Sequence, residues 1–247
     1  MTTPEVAVLR ELGVGPDTLT SQQQATLDTD GYLVLPGLVG PELLGALRRV
    51  IVVELARADR DPLWRPGGTV HLDSVLDAGA AIDTVWTAPR LLAAVAHLLG
   101  PDFRIRRMHF RAPQTGHGAQ ALHTDTRPGP PPTDGAHEAT AIVALVDVDA
   151  AGGATRVIPG SHRRHDVAAP TQPDLPHPEQ HPVPLTAGSA LVFSGHLWHS
   201  GTRNERPPRR DALQLSFSRR SDQPHPNYPD VSTATFDRLG PAAMLLL

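Results

Sequence analysis

Apolar positions in the first hundred residues fall mostly at the three- and four-residue intervals of helices that bury one face. Ser21-Gln22-Gln23-Gln24 has the form of a capping box and predicts a short helix that stops before Gly31. Residues 32–36 then alternate into a brief apolar strand. Pro41 stands where the first turn of a helix tolerates proline, and Leu43, Leu44, Leu47, Val50, Ile51 and Leu55 repeat at helical spacing behind it. Residues 88–99 predict another amphipathic helix, closed by Gly100-Pro101.

After Asp102 the pattern changes to short apolar runs punctuated by glycine and proline. Segments 103–111, 119–122, 139–147, 154–158, 189–193 and 212–218 read as strands. Helices followed by six such strands predict a mainly β fold, a sandwich or jelly roll under an N-terminal helical layer. Without an internal repeat or a composition break, residues 1–247 read as a single domain, helical over about 1–100 with a jelly-roll core over about 101–220. Segments 126–137 and 168–184 look too rich in proline to form ladders and read as loops near the barrel mouth.

Composition narrows the chemistry. The formal net charge of −4 supplies no reason to expect nucleic acid or an anionic membrane as partner. No apolar run is long enough to cross a bilayer, and residues 1–8 lack the basic start of a signal peptide, so the expectation is a soluble cytoplasmic protein. There is no cysteine, which removes disulfides, thiolate nucleophiles, iron–sulfur clusters and Cys-ligated zinc. All 22 basic residues are arginine, so Schiff-base and phosphate-binding lysines are absent too, and the usage points to a GC-rich bacterial gene. Histidine, at 13 residues, leaves metal and acid–base roles open.

On a strand, His123 and Asp125 of Ala121-Leu122-His123-Thr124-Asp125 project from one face, offering an imidazole and a carboxylate to one divalent metal. The pair alone also fits surface polar residues at a strand end. His199, in Trp198-His199-Ser200-Gly201, follows a distant apolar strand and completes a two-histidine, one-carboxylate triad. Such a triad leaves metal positions open for a co-substrate and dioxygen. Arg209 and Arg210 begin a further apolar strand, and a guanidinium at a pocket end suits a carboxylate through two parallel hydrogen bonds.

With these residues in view, the sequence resembles the phytanoyl-CoA dioxygenase family of iron(II)/2-oxoglutarate oxygenases over most of its length. Asp30-Gly31-Tyr32-Leu33-Val34-Leu35-Pro36-Gly37 is similar to that family's opening strand, and His123-Thr124-Asp125 to its first two metal ligands. Gly153-Ala154-Thr155-Arg156-Val157-Ile158-Pro159-Gly160-Ser161-His162 is similar to a long family segment, and Leu197-Trp198-His199-Ser200-Gly201 to the distal histidine. The family offsets from that histidine fall on Asn204 and on Arg210 as the co-substrate arginine, with Arg209 on the other strand face. Leu122, Thr124 and Ser200-Gly201-Thr202 depart from common family residues and leave the pocket shape open.

The resemblance implies a double-stranded β-helix core of jelly-roll, cupin-like type. It implies iron(II) on His123, Asp125 and His199, with 2-oxoglutarate as co-substrate paired to Arg210. Dioxygen and a small-molecule substrate complete the expected partners. The expected reaction is hydroxylation in bacterial biosynthesis, and the presence of Asp125 argues against halogenation. Oligomeric state is not read.

Gln120 and Thr202 are further candidates for co-substrate contact, though Thr202 reads equally as a turn residue. The segment 104–111 (RIRRMHFR) looks polar on both faces, and its side chains either line the cavity or sit on an edge strand. Trp198 points away from the metal by parity and reads as core. His162, His165, His177 and His181 lack the compact spacing of a zinc site. Two other functions stay open: a cupin-like isomerase or oxygenase without 2-oxoglutarate, and a non-catalytic binding protein on the same fold.

Overall fold

Helices α1 (Pro4–Glu11) and α2 (Ser21–Asp30) open the chain. The capping box of α2 forms one residue earlier than the sequence reading. Thr20 Oγ1 accepts from the Gln23 N–H (3.2 Å) while Gln23 Oε1 accepts from the Thr20 N–H (2.9 Å). Gly31 ends the helix at φ 78°, and a Cβ there would lie 2.3 Å from His162 Nδ1, so only glycine fits.

The computed structural model describes residues 3–58, 64–65, 68–126, 132–164, 166–167, 172–222 and 231–247. Within them, β1 (Tyr32–Leu35) leads to α3 (Pro41–Ala58), β2 (Trp64–Arg65) and β3 (Thr69–Leu72). Helices α4 (Ala80–Trp86) and α5 (Pro89–Leu99) precede β4 (Phe103–Pro113) and β5 (Glu138–Ala144). Then come β6 (Thr155–Val157), a 3-10 turn (Ser161–Arg163), β7 (His181–Val183), β8 (Ala190–Ser194), β9 (His199–Gly201) and β10 (Ala212–Arg219). Two short helices, α6 (Thr233–Arg238) and α7 (Pro241–Met244), follow. Among the described residues no helix is long and apolar enough to cross a membrane.

The strands form an antiparallel seven-stranded sheet in the order β1-β8-β5-β10-β4-β3-β2 and a three-stranded sheet in the order β7-β6-β9. Period-two alternation sorts the large sheet into two faces. Leu33, Leu35, Ala141, Val143, Ala190, Val192, Leu213 and Leu215 pack against the helices in the main core. Their alternates Tyr32, Val34, Ile142, Ala144, Leu191 and Phe193 meet Val157 and Val183 of the small sheet. This is the expected jelly roll, with a helical layer on its outer face. Strands β1 to β3, within the first hundred residues, enter the large sheet as well.

Four local readings change. Residues 119–122 join no ladder, and His123 makes only an isolated antiparallel bridge to His199. β7 forms inside the proline-rich segment 168–184, with Pro182 tolerated because β7 is an edge strand. β4 is no edge strand, since β10 and β3 flank it. Its polarity on both faces is also only apparent. The register jumps at Arg106, with Ser216 opposite Arg107 and Phe217 opposite Ile105. Across that bulge Phe103, Ile105, Met108, Phe110 and Ala112 all reach the helix-side core. Residues 127–131, 168–171 and His165 lie outside the described residues.

Candidate metal centre

His123 and His199 are directly opposed in their bridge, with His123 N–H on His199 O at 3.0 Å and the return bond at 2.9 Å. Opposed residues share a face, and the two rings stand 4.5 Å apart between centroids. Asp125, two residues on, returns to that face and is fixed by its N–H on Gly195 O at 2.9 Å. Trp198 is held from the other side, donating its N–H to Ser161 Oγ at 2.9 Å and accepting from Ile158 N–H at 2.9 Å. Its ring packs with Leu122, Ile158 and Val167, away from the triad. The turn carrying Ser161 therefore sets the position of His199.

Hydrogen bonding also sets which ring nitrogens face inward. Nδ1 of His123 bonds Ala121 O at 2.8 Å and Nδ1 of His199 bonds Leu197 O at 2.9 Å. A carbonyl can only accept, so each Nδ1 carries the proton and each Nε2 presents a lone pair. Burial pushes the His199 pKa down, which favours the neutral ligand form. Asp125 divides its two oxygens: Oδ2 accepts from Thr140 Oγ1 at 2.6 Å, and Oδ1 lies 3.9 Å from His123 Nε2 and 3.5 Å from His199 Nε2.

All three donor atoms lie within 4.8 Å of one another. Two ligands each about 2.1 Å from a metal stand about 3.0 Å apart at right angles and about 4.2 Å apart when opposed, a span that contains both His–Asp separations, so the spacing suits one ion. Two neutral imidazoles and one carboxylate match an open-sided divalent site. The side chains of His123 and Asp125 are 38% and 23% exposed against 5% for His199, so the group is open on one side only. Thr140→Val is expected to weaken divalent-metal affinity about 10–100-fold with the fold retained, because it frees the second Asp125 oxygen. Titration with Mn(II) followed by electron paramagnetic resonance checks this.

Behind the triad lies a pocket between the sheets, walled by Ile142, Val183 and Leu185 and reaching Arg111, Gln120, Arg210 and Gln214. Arg210 is buried, and no acidic side chain among the described residues pairs with it. Its guanidinium donates to Gly153 O. Burial, and then the Arg111 charge, push its pKa down to about 9. Gly201 permits this approach, since a Cβ there would meet Gly118 O at 2.9 Å and Arg210 at 3.3 Å. Arg209 points elsewhere, pairing with Asp211 at 2.7 Å and lying over the Phe110 ring.

Gln120 lines the same pocket, its Oε1 accepting from Arg111 at 2.6 Å and from the Gly201 N–H at 3.3 Å. Thr202 does not line it; its hydroxyl donates to Ala154 O at 2.7 Å beside an outer cleft. Asn204 organises the turn before Arg210 through Pro208 O and the Arg206 N–H. In the sequence Arg156 is only one member of a longer motif. It is buried and donates to Ser200 Oγ, Gln120 O, Gln180 Oε1, Leu175 O and Pro173 O, tying the segment after residue 172 to the pocket wall. His162 packs on Gly31, and among the described residues His162, His177 and His181 form no metal-holding group.

The family profile described as phytanoyl-CoA dioxygenase matches residues 27–212. Dioxygenase trt7 of Aspergillus terreus is 24% identical over 249 residues, covering 95% of this chain and 85% of its own length. Among solved structures, the epimerase SnoN in complex with Fe3+, alpha ketoglutarate and nogalamycin RO is similar with a TM-score of 0.63 at 21% identity, covering 80% of this chain and 82% of SnoN. HygX from Streptomyces hygroscopicus, with nickel, 2-oxoglutarate and hygromycin B bound, is similar with a TM-score of 0.64 at 19% identity, covering 90% of this chain and 95% of HygX. At these identities the structural likeness is one of fold.

Proposed function

The chain belongs to the phytanoyl-CoA dioxygenase family, and from that premise we propose that it is an iron(II)- and 2-oxoglutarate-dependent dioxygenase. The observation that carries the reading is Arg210. A buried guanidinium without an acidic partner among the described residues, in the pocket that begins at the triad, is the natural seat for the far carboxylate of a keto diacid. A cupin-like enzyme that does not use 2-oxoglutarate has no need of a buried cation there.

In this reading His123, Asp125 and His199 hold iron through two Nε2 atoms and Oδ1. Arg210 binds the distal carboxylate, Arg111 adds a second positive charge to the same pocket, and Gln120 keeps Arg111 in place. Ile142, Val183 and Leu185 exclude water from the charged contacts, which strengthens them. When bound, iron and 2-oxoglutarate supply the oxidising power drawn from dioxygen, with succinate and carbon dioxide as co-products. The chain's own groups supply orientation: Thr140 fixes the carboxylate and two carbonyls fix the imidazoles.

The proposal extends to hydroxylation of a small molecule in bacterial secondary metabolism, within a single cytoplasmic domain. The intact carboxylate ligand supports oxygen transfer, and the arginine-only composition supports a bacterial source. Epimerisation, the activity named for SnoN, is the second reading. Product mass separates the two, since hydroxylation adds one oxygen and epimerisation adds none. Anaerobic titration of the protein with iron(II) and 2-oxoglutarate is expected to give a visible charge-transfer band, and succinate on admission of air. A wild-type protein that gives neither would end the proposal.

A further inference from the structure

Outward from the pocket, the barrel-facing side of the large sheet changes character. On β5 that face runs Ile142, Thr140, Glu138, and on β10 the partners in register are Gln214, Ser216 and Ser218. On β4 the bulge at Arg106 puts Arg104 opposite Ser218, Arg107 opposite Ser216 and His109 opposite Gln214. Beyond Ile142, these three strands therefore present no apolar side chain on this face. His109 is stacked on His71 at 5.4 Å, and Arg107 is paired with Asp73 at 3.0 Å.

Next to Thr140 on this face is an ion pair that spans β10. Arg106 donates to Glu138 Oε1 at 2.7 Å, with the small Ser216 and Ser218 on the intervening strand. Glu138 stands two residues from Thr140, the residue bonded to Asp125, and so on the same face. A Cβ on Gly195 would lie 2.9 Å from Glu138 Cβ and 3.0 Å from Thr126, which puts Glu138 against the Asp125 segment. Its side chain is 26% exposed, against 23% for that of Asp125. Only one Glu138 oxygen is engaged among the described residues.

We propose that the Arg106–Glu138 pair anchors the primary substrate, and that this substrate is a polar small molecule whose amino or hydroxyl group donates to Glu138. The proposal rests on the dioxygenase reading above and names the substrate class of that site. An apolar skeleton laid on this wall would cover the half-buried ion pair and Ser216 without returning the hydrogen bonds they make to water. A molecule bearing amines or several hydroxyls returns them. Arg106 holds the carboxylate in place before the substrate arrives, so Glu138 needs no reorganisation to accept.

The test uses the anaerobic protein loaded with iron(II) and 2-oxoglutarate, and two compound sets. One contains aminated and hydroxylated sugars, cyclitols and amino acids; the other contains fused-ring polyketides and terpenoids without amines. Calorimetry reads binding, and succinate formed in air reads turnover. Binders are expected from the polar set alone, and the tightest should lose about 10–100-fold in affinity in the isosteric Glu138→Gln variant. Glu138→Ala should lose at least as much, and Glu138→Asp should recover part of it. A binder from the apolar set, no binder from the polar set, or equal affinity in the wild type and Glu138→Gln overturns the anchor. The wild-type visible band separates the two levels: with the band present such a result removes only the anchor, and without it both readings fall.

Discussion

His199→Ala is expected to remove the visible band of the iron(II)–2-oxoglutarate complex and to lower turnover at least ~1,000-fold, the several kcal/mol that a metal ligand supplies. The effect should be complete because His199 is the buried member of the triad. Its ring lies 4.4 Å from Phe193 and 4.5 Å from His123. Water entering the space left by the imidazole is a poor substitute for an Nε2 whose ring is fixed through the Leu197 carbonyl. The protein itself should survive, since the backbone bridge to His123 uses no side chain of either residue. A metal-free variant melting within a few degrees of the wild type, but giving no band, is the outcome that assigns the loss to the site. A variant that keeps the band would show that another group holds the metal.

The triad was legible in the sequence although His123 and Asp125 lie on no strand. The two-residue spacing of His123 and Asp125 survives in an extended segment because a single bridge and one bond from Gly195 fix both residues. Arg210 was legible by parity, since 210, 212 and 214 face the pocket while Arg209 does not. The helices α3 and α5 and most of the strands follow the apolar period, where burial of one face decides the conformation.

What escaped the sequence has physical causes. The bulge in β4 inverts alternation in the middle of the strand, so counting by two sends Arg107 to the apolar face and Met108 to the polar one. Pro182 conceals β7, because a missing donor is harmless only on an edge that the sequence does not reveal. Arg156 and Glu138 are harder still. Their partners, from Gln120 to Ser200 and at Arg106, lie 17 to 44 residues away, and nothing local announces them.

Arg210→Met is expected to act in opposite directions on binding and on stability. Guanidinium stays charged at neutral pH, so the ligand-free protein holds a buried cation that feels a second positive charge, Arg111. Burial and like charge both disfavour that state, which is why the pKa is driven down. Replacing the cation by an apolar side chain of similar length should therefore stabilise the ligand-free protein by about 1 kcal/mol, the bond to Gly153 being lost. The same change removes one partner of a desolvated carboxylate pair, a loss of about 2–5 kcal/mol or roughly 30- to 3,000-fold in 2-oxoglutarate affinity. The wild type in turn gains about 2.7 kcal/mol at a ligand concentration 100 times its dissociation constant, and the variant gains little at that concentration. The ranking of the two proteins in anaerobic urea denaturation should consequently reverse when iron(II) and 2-oxoglutarate are added. A structural arginine, held only for its bond to Gly153, would give the contrary result: the variant would be less stable with and without ligand, and its 2-oxoglutarate affinity would fall less than tenfold. Reversal needs a cation placed for an anion that arrives with the ligand.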